Sequence, residues 1–386
     1  MQALVNATVH TGFDEAGAVA GDAAVLIDGD RIAGVVQRSA VPPRVPQHDL
    51  GGGILAPGFI DLQVNGGGGL LFNDRPTLGT ARRIVEAHRR FGTTGLLPTL
   101  ITDSRSIRAT AIAAVRQAIA RRVPGVLGLH LEGPHIAAAR RGVHHPRHIA
   151  PPEPDDLALL AGANGFPTLL TLAPETVPPD TVRAMAAAGL VLSAGHSAAR
   201  LEEARAGFAA GIRIVTHLFN AMSQLGSREP GLVGAALDDD AVWCGIIVDG
   251  HHVHDASVRL AWRAKPHGKL FLVTDAMPPV GAEGGDKAGF TLYGEPVRVE
   301  DGRCVTADGT LAGSALDMAS AVRNCVERIG IPLDEALRMA AAYPADALGI
   351  AQERGRIRTG MAADLVHLDE RLMPRATWVG GKMALC

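Results

Sequence analysis

Four apolar runs in this chain each end in a side chain that can bind a metal or move a proton: LGLHLEG at Glu132, LVLSAGHS at His196, RIVTHLFN at His217 and LFLVTDAM at Asp275. Two imidazoles and one carboxylate form the donor set of many catalytic zinc sites, which keep a further position for water. Glu132, His196 and His217 are therefore the candidate ligands of one divalent ion. A second carboxylate beside such an ion can take a proton from attacking water and return it to a leaving group, the role expected of Asp275. Each residue also has a plainer reading when taken alone. Glu132 could be a solvated loop carboxylate, His196 or His217 a hydrogen-bonded structural histidine, and Asp275 the N-cap of a helix. Their joint recurrence at the ends of apolar runs favours a single hydrolytic metal centre. Zinc is the default ion for this set, and iron, cobalt and manganese accept it as well.

Short, wholly apolar runs read as strands buried on both faces, as in a parallel sheet covered by helices. Closed into a barrel, such strands bring the side chains at their C-terminal ends to one mouth. In HLEGPH, strand alternation puts His130 and Glu132 on the same face, with Glu132 nearer the Gly-Pro break and His130 packed behind it. Helix-like segments lie between the apolar runs: TARRIVEAHRRFG, SIRATAIAAVRQAIARR, DTVRAMAAAG, LEEARAGFAAG and DASVRLAWRA, with Gly92, Gly189 and Gly211 at the expected C-terminal caps. The first fifty or so residues instead alternate apolar and polar positions, as in AAVLIDG and RIAGVVQ, which is antiparallel strand material. Strand and turn patterns return at 289–312 and in the C-terminal tail, and two amphipathic helices lie between those stretches. The expected fold is α/β: a (β/α)8 TIM-type barrel over 55–353, with a β insertion near 282–312. Residues 1–54 and 354–386 would together build a small flanking β-sandwich domain.

At 386 residues, with 47% hydrophobic and 20% charged residues, the chain can bury a large core. A formal net charge of −3 provides no broad basic field, which argues against a nucleic-acid partner. Any anion must be held by a local cluster. Cys244, Cys304, Cys325 and Cys386 are scattered without a CxxC pair, so neither a disulfide framework nor a thiolate zinc site is indicated. The N-terminus lacks a signal-peptide pattern, and no apolar stretch approaches the roughly 20 residues that span a bilayer. A cytoplasmic protein is expected.

Around these residues stand longer strings: APGFIDLQVNG, GLHLEGPH with the later RRGVHHP, SAGHS, THLFNAM followed by REPGLVG, CGIIVDGHHVH and LVTDAMPPVG. In this order they resemble the N-acetylglucosamine-6-phosphate deacetylase family of the amidohydrolase superfamily, over nearly the whole chain. The resemblance implies a metal-dependent barrel that hydrolyses the N-acetyl group of the sugar phosphate, releasing acetate and D-glucosamine 6-phosphate. It assigns the metal to Glu132, His196 and His217 and acid/base work to Asp275. His144 matches the histidine beside the acetamide, where a hydrogen-bond donor would stabilise the oxyanion, although His145 is its immediate neighbour. For the phosphate it points to Asn220, the Ala221 backbone, His252 and Arg228, the last reaching across from a second subunit of a homodimer. A plainer reading pairs Arg228 with Glu229 on the surface.

Two departures bear on the site. Many amidohydrolases carry His-x-His after the first barrel strand, whereas this chain has Gln63-x-Asn65. Neutral amides are poor zinc ligands compared with imidazoles, so one metal per subunit is expected. Gln63 would then hydrogen-bond water at the metal or simply pack in the barrel. The second departure is His135, which stands where an aromatic or apolar residue is expected and weakens the case for sugar-ring packing there. Related readings are a deacetylase of N-acetylgalactosamine 6-phosphate, another amidohydrolase, or a sugar-phosphate binding protein without catalysis.

Overall fold

The computed structural model describes the chain apart from residues 14–17, 20, 21, 164 and 285–288. Parts of the expected N-terminal strand region and of the expected insertion therefore lie outside the described residues. Eight parallel strands form the barrel: Phe59–Val64, Thr93–Ile101, Leu129–Glu132, Thr168–Leu172, Val191–Ala194, Ile212–Val215, Trp243–Ile246 and Leu270–Leu272. They pair in chain order, because each strand returns beside its predecessor after a helical crossover. The seam between the last and first strands closes just past the regular ladder. There the Asp275 N–H donates to the Gln63 carbonyl at 3.0 Å and the Asn65 N–H to the Ala276 carbonyl at 2.9 Å.

All seven anticipated helical segments form, the last of them as two consecutive helices, Leu333–Ala340 and Ala342–Leu348. Leu78–Arg89 starts at Thr77, whose side chain accepts from the Thr80 N–H, and buries Ala81, Ile84, Val85 and His88 along one stripe. Arg105–Ala120 is capped in the same way by Ser104. Two further helices were not anticipated. Pro154–Ala161 is only eight residues long, too short for a clear periodicity, yet it carries Pro at its start and two aspartates in its first turn. Gly231–Asp238 reads as a loop because of its glycines. A Cβ on Gly234 would lie 2.3 Å from the Pro230 ring, so this glycine serves close packing within a buried helix.

The two chain ends meet outside the barrel. Gln2–Val5, Ala23–Asp28, Arg31–Gln37 and Gln47–Asp49 form a four-stranded sheet. A six-stranded sheet joins N-terminal strands to Leu365–Leu368, Pro374–Val379 and Lys382–Leu385, with Leu365–Leu368 antiparallel to Ile54–Pro57. Leu4, Val25, Ile27, Leu55, Leu365 and the fully buried Trp378 fill the space between them. A separate antiparallel sheet, Phe290–Leu292 to Leu311–Ser314, lands on the barrel mouth. The Ser314 N–H donates to the Asp275 carbonyl, and the Met277 N–H to the Ser314 carbonyl, both at 2.9 Å. Among the described residues no helix is long and apolar enough to cross a membrane.

Close strand approach makes a specific demand at Gly128, where an added Cβ would sit 2.0 Å from the Pro167 carbonyl oxygen, a backbone atom that cannot swing aside. Gly128→Ala is expected to destabilise the fold by about 1–3 kcal/mol in chemical denaturation, the usual range for overpacking. Gly79→Ala is the control: its nearest neighbour would be 3.7 Å away, inside a helix. That change should be neutral or stabilise by up to about 1 kcal/mol.

Candidate metal centre

Three of the four candidate residues take up a backbone conformation that side chains other than glycine seldom adopt. His196, His217 and Asp275 have φ of +48°, +32° and +54°. Each stands just beyond a barrel strand, so the sharp turn swings the side chain off the strand direction and into the mouth. Such residues cost on the order of 1–3 kcal/mol each and persist only where their surroundings hold them. The surroundings here are backbone hydrogen bonds: Ala137 N–H to the His196 carbonyl, Asn220 N–H to the His217 carbonyl and Ser314 N–H to the Asp275 carbonyl, all at 2.9 Å. Before His196, Gly195 lets the fifth strand pass close to its neighbours. A Cβ there would be 2.8 Å from Thr171 and 2.9 Å from Thr216.

Glu132 ends the third strand, and its Oε1 lies 3.0 Å from the Nε2 of both His196 and His217. The two Nε2 atoms are 3.2 Å apart. Ligands on a tetrahedral ion at about 2.0–2.1 Å would be separated by roughly 3.3 Å, so the triangle has the size a small divalent cation requires. The His196 Nδ1–H donates to the Arg140 carbonyl at 2.9 Å, which leaves the Nε2 lone pair for a ligand. All three side chains are buried, and they form the one such cluster among the described residues. Burial by itself would raise the Glu132 pKa, but the two imidazoles outweigh it and hold the carboxyl well below its ordinary range. Despite its own burial, His217 is pushed up by the same carboxylate. A divalent cation would compete with protons for these lone pairs.

Gln63 and Asn65 tie the second carboxylate to this set. Gln63 Nε2 donates at 3.1 Å to both Glu132 Oε1 and Asp275 Oδ1, and Asn65 Nδ2 donates to Asp275 Oδ1 at 2.6 Å. Beneath them lies Asp61, fully buried, which accepts from the Thr274 hydroxyl at 2.5 Å and from the Gln63 N–H at 3.2 Å. Burial, followed by the Glu132 charge, pushes the Asp275 carboxyl up to about 6. The chain after Asp275 continues as a bridge and turns, so the carboxylate caps no helix.

The cavity above these groups measures about 380 Å³ and is lined by His144, Asn220, Ala221 and His252 as well as Glu132, His196, His217, Asn65 and Asp275. His144 is buried against Thr102, whose hydroxyl lies 2.7 Å and backbone N–H 3.4 Å from Nδ1. With Nδ1 accepting, the proton sits on Nε2. Burial, with His196 next, holds the ring well below its ordinary pKa and so neutral. His145 lies outside the cavity, edge-on to Tyr293. Arg228 is exposed and lines no part of the cavity of its own chain, while Glu229 pairs with Arg200 at 3.0 Å. His130 is enclosed by Thr99 and Thr171, and His135 bonds the Ala150 carbonyl; neither lines the cavity.

Several contributors escaped the sequence reading. Asp61 could have been found from strand alternation, since it shares a face with Gln63. Thr102, the Arg140 carbonyl and the Thr310–Gly313 stretch that lines the cavity carry no local signal, because a loop and a distant hairpin deliver them. Asp249, which grips His252, is a further case.

Comparison with known proteins bears directly on this arrangement. Residues 54–384 match the Amidohydrolase family, and residues 1–55 match the NagA composite domain. An N-acetylgalactosamine-6-phosphate deacetylase of Shewanella sp. (strain ANA-3) is 44% identical, with 88% of this chain and 85% of that protein covered. The N-acetylglucosamine-6-phosphate deacetylase of Haemophilus influenzae is 37% identical over 98% of both chains. The crystal structure of N-acetylglucosamine-6-phosphate deacetylase from Pasteurella multocida superposes with a TM-score of 0.95 at 36% identity and covers all of both chains. Likeness of this extent, in sequence and in the barrel that carries the four strand-end residues, means that the chain belongs to the amidohydrolase family, among its amino-sugar-phosphate deacetylases.

Proposed function

We propose that this protein hydrolyses N-acetyl-D-glucosamine 6-phosphate to D-glucosamine 6-phosphate and acetate. The observation that carries the reading is the meeting of Glu132, His196 and His217 with Asp275 in one buried cavity, in a chain with full-length likeness to deacetylases of that substrate. Glu132, His196 and His217 would hold one divalent cation, zinc by default or Fe²⁺, Co²⁺ or Mn²⁺, which supplies a Lewis acid and a more acidic water. Gln63 and Asn65 support a single ion, since their N–H groups are committed to the two carboxylates and a neutral amide oxygen is a far poorer zinc ligand than an imidazole nitrogen.

Asp275 is the general base. Its Oδ1 is held by the two amides, which leaves Oδ2 to take the proton of the attacking water. As the water oxygen bonds to the acetyl carbon, the carbonyl oxygen becomes an oxyanion, and the His144 Nε2–H is placed to donate to it. Protonated Asp275 then gives its proton to the sugar nitrogen as the C–N bond breaks, and acetate leaves. Asn220, the Ala221 backbone and His252 would bind the phosphate from within the cavity. Arg228, exposed and absent from the lining of its own cavity, would reach a phosphate in a neighbouring copy, so the proposal includes a homodimer in which the partner subunit's Arg228 completes the site. The setting is the cytoplasm.

A second reading, deacetylation of N-acetylgalactosamine 6-phosphate, is favoured by the 44% identity to a protein of that name. Acetate release from the two epimeric 6-phosphates decides between them. A kcat/KM at least tenfold higher for the gluco epimer is expected, and the reverse preference would replace the first reading with the second. Absence of turnover on both would leave only a binding protein.

Chelation should abolish turnover, and readdition should restore it at one ion per chain; saturation at two would refute the single-ion site. Asp275→Asn is expected to retain the ion and lose about 10²- to 10⁴-fold in kcat, the usual size of acid/base catalysis. Near-normal turnover would remove Asp275 from its role. His144→Gln should lower kcat about 10²-fold or more, as for other oxyanion donors, and His145→Gln should leave it within about twofold.

A further inference from the structure

The loop after the seventh barrel strand, Trp243–Ile246, carries a buried pair of which the scheme above uses only the histidine. Asp249 Oδ2 lies 2.6 Å from His252 Nδ1, and each side chain is only 5% exposed. Asp249 Oδ1 accepts the backbone N–H groups of His251 and His252, both at 2.8 Å. The carboxylate therefore cannot turn without breaking its own loop. That loop is pinned from behind as well: Asn324 Nδ2 donates to the Val248 carbonyl at 2.7 Å and Arg328 Nη1 to the Asp249 carbonyl at 3.2 Å. Arg328 is itself held by Asp255 at 2.8 Å. His252 lines the substrate cavity, whereas Asp249 does not.

We infer that Asp249 is a positioning residue for phosphate recognition, locking the His252 ring with Nδ1–H on its carboxylate and Nε2 toward the phosphate. The inference rests on the phosphate contact proposed for His252. With Nδ1 committed to Asp249, a hydrogen bond from Nε2 to a phosphate oxygen makes the ring an imidazolium. Asp249 is then its fixed counter-ion, and the contact becomes charge-assisted, roughly twice as strong as a neutral one. Burial would raise the Asp249 pKa, but the ring and the two backbone N–H groups outweigh it and hold it at about 2, so the counter-ion is present at any working pH. This is a specificity device because a sugar without phosphate draws nothing from it.

The test is steady-state kinetics of the metal-loaded enzyme on N-acetylglucosamine 6-phosphate and on N-acetylglucosamine. Asp249→Asn keeps an oxygen for the loop N–H groups but removes the charge. It is expected to raise KM for the phosphorylated sugar about tenfold or more, the loss of a charged hydrogen bond. Turnover should stay within about threefold, and kcat/KM on the unphosphorylated sugar within about twofold. His252→Ala should raise KM similarly, and the double variant should add no more than about twofold, since both changes remove one device. Equal loss on both sugars, or multiplicative effects in the double variant, would overturn the inference. If His252→Ala leaves KM for the phosphorylated sugar unchanged, the phosphate contact itself falls and the inference with it. If His252→Ala raises KM and Asp249→Asn does not, only the role of Asp249 falls. Should Asp249→Asn not fold, Asp249→Ser keeps a loop acceptor, withdraws the oxygen on Nδ1 and yields the same outcomes.

Discussion

A carboxylate oxygen and two imidazole nitrogens stand 3.0–3.2 Å from one another, almost wholly buried at the wall of the cavity, and most of the surrounding structure follows from that confinement. Brought so close in a medium of low polarisability, their lone pairs need positive charge between them, either protons or a metal ion. The downward pull on Glu132 and the upward push on His217 express the same need. A site of this kind must be assembled by parts that do not yield. Each ligand accordingly leaves the end, or just past the end, of a different buried strand.

Rigidity comes at the turns. His196, His217 and Asp275 sit in left-handed backbone conformations that are unfavourable in isolation, and carbonyl hydrogen bonds from three separate segments hold them there. Gly195 permits the close strand approach that brings His196 round. Strain is thus stored where geometry matters for binding an ion, while the barrel behind, packed with Leu, Ile and Val, supplies the stability that sustains it.

Gln63 and Asn65 show how one pair of positions changes the character of a metal site. Imidazoles there would offer lone pairs to a second ion. The amides offer N–H groups, and these bind Glu132 and Asp275 together. Negative charge that a second cation would have balanced is instead met by neutral donors. This arrangement suits an Asp275 whose carboxyl, pushed up to about 6, can both accept and release a proton. Asp249 and His252 repeat the logic elsewhere, with a buried carboxylate 2.6 Å from an imidazole that lines the cavity.

Much of this was legible in the linear chain because burial and alternation are local properties. Four short apolar runs marked the third, fifth, sixth and eighth barrel strands, and the residue types at their ends marked the mouth. Periodicity found seven helical segments and lost Pro154–Ala161 and Gly231–Asp238, one too short and the other too rich in glycine. The residue types at the site, and the missing His-x-His pair, were therefore determined by sequence alone. Which atoms meet was decided only by the tertiary structure. Barrel closure sets Gln63 and Asn65 against Asp275, a loop carbonyl at Arg140 selects the His196 tautomer, and a hairpin some forty residues beyond Asp275 walls the cavity. Those contacts join segments far apart along the chain, and no local pattern of hydrophobicity or turn chemistry encodes a distance between them.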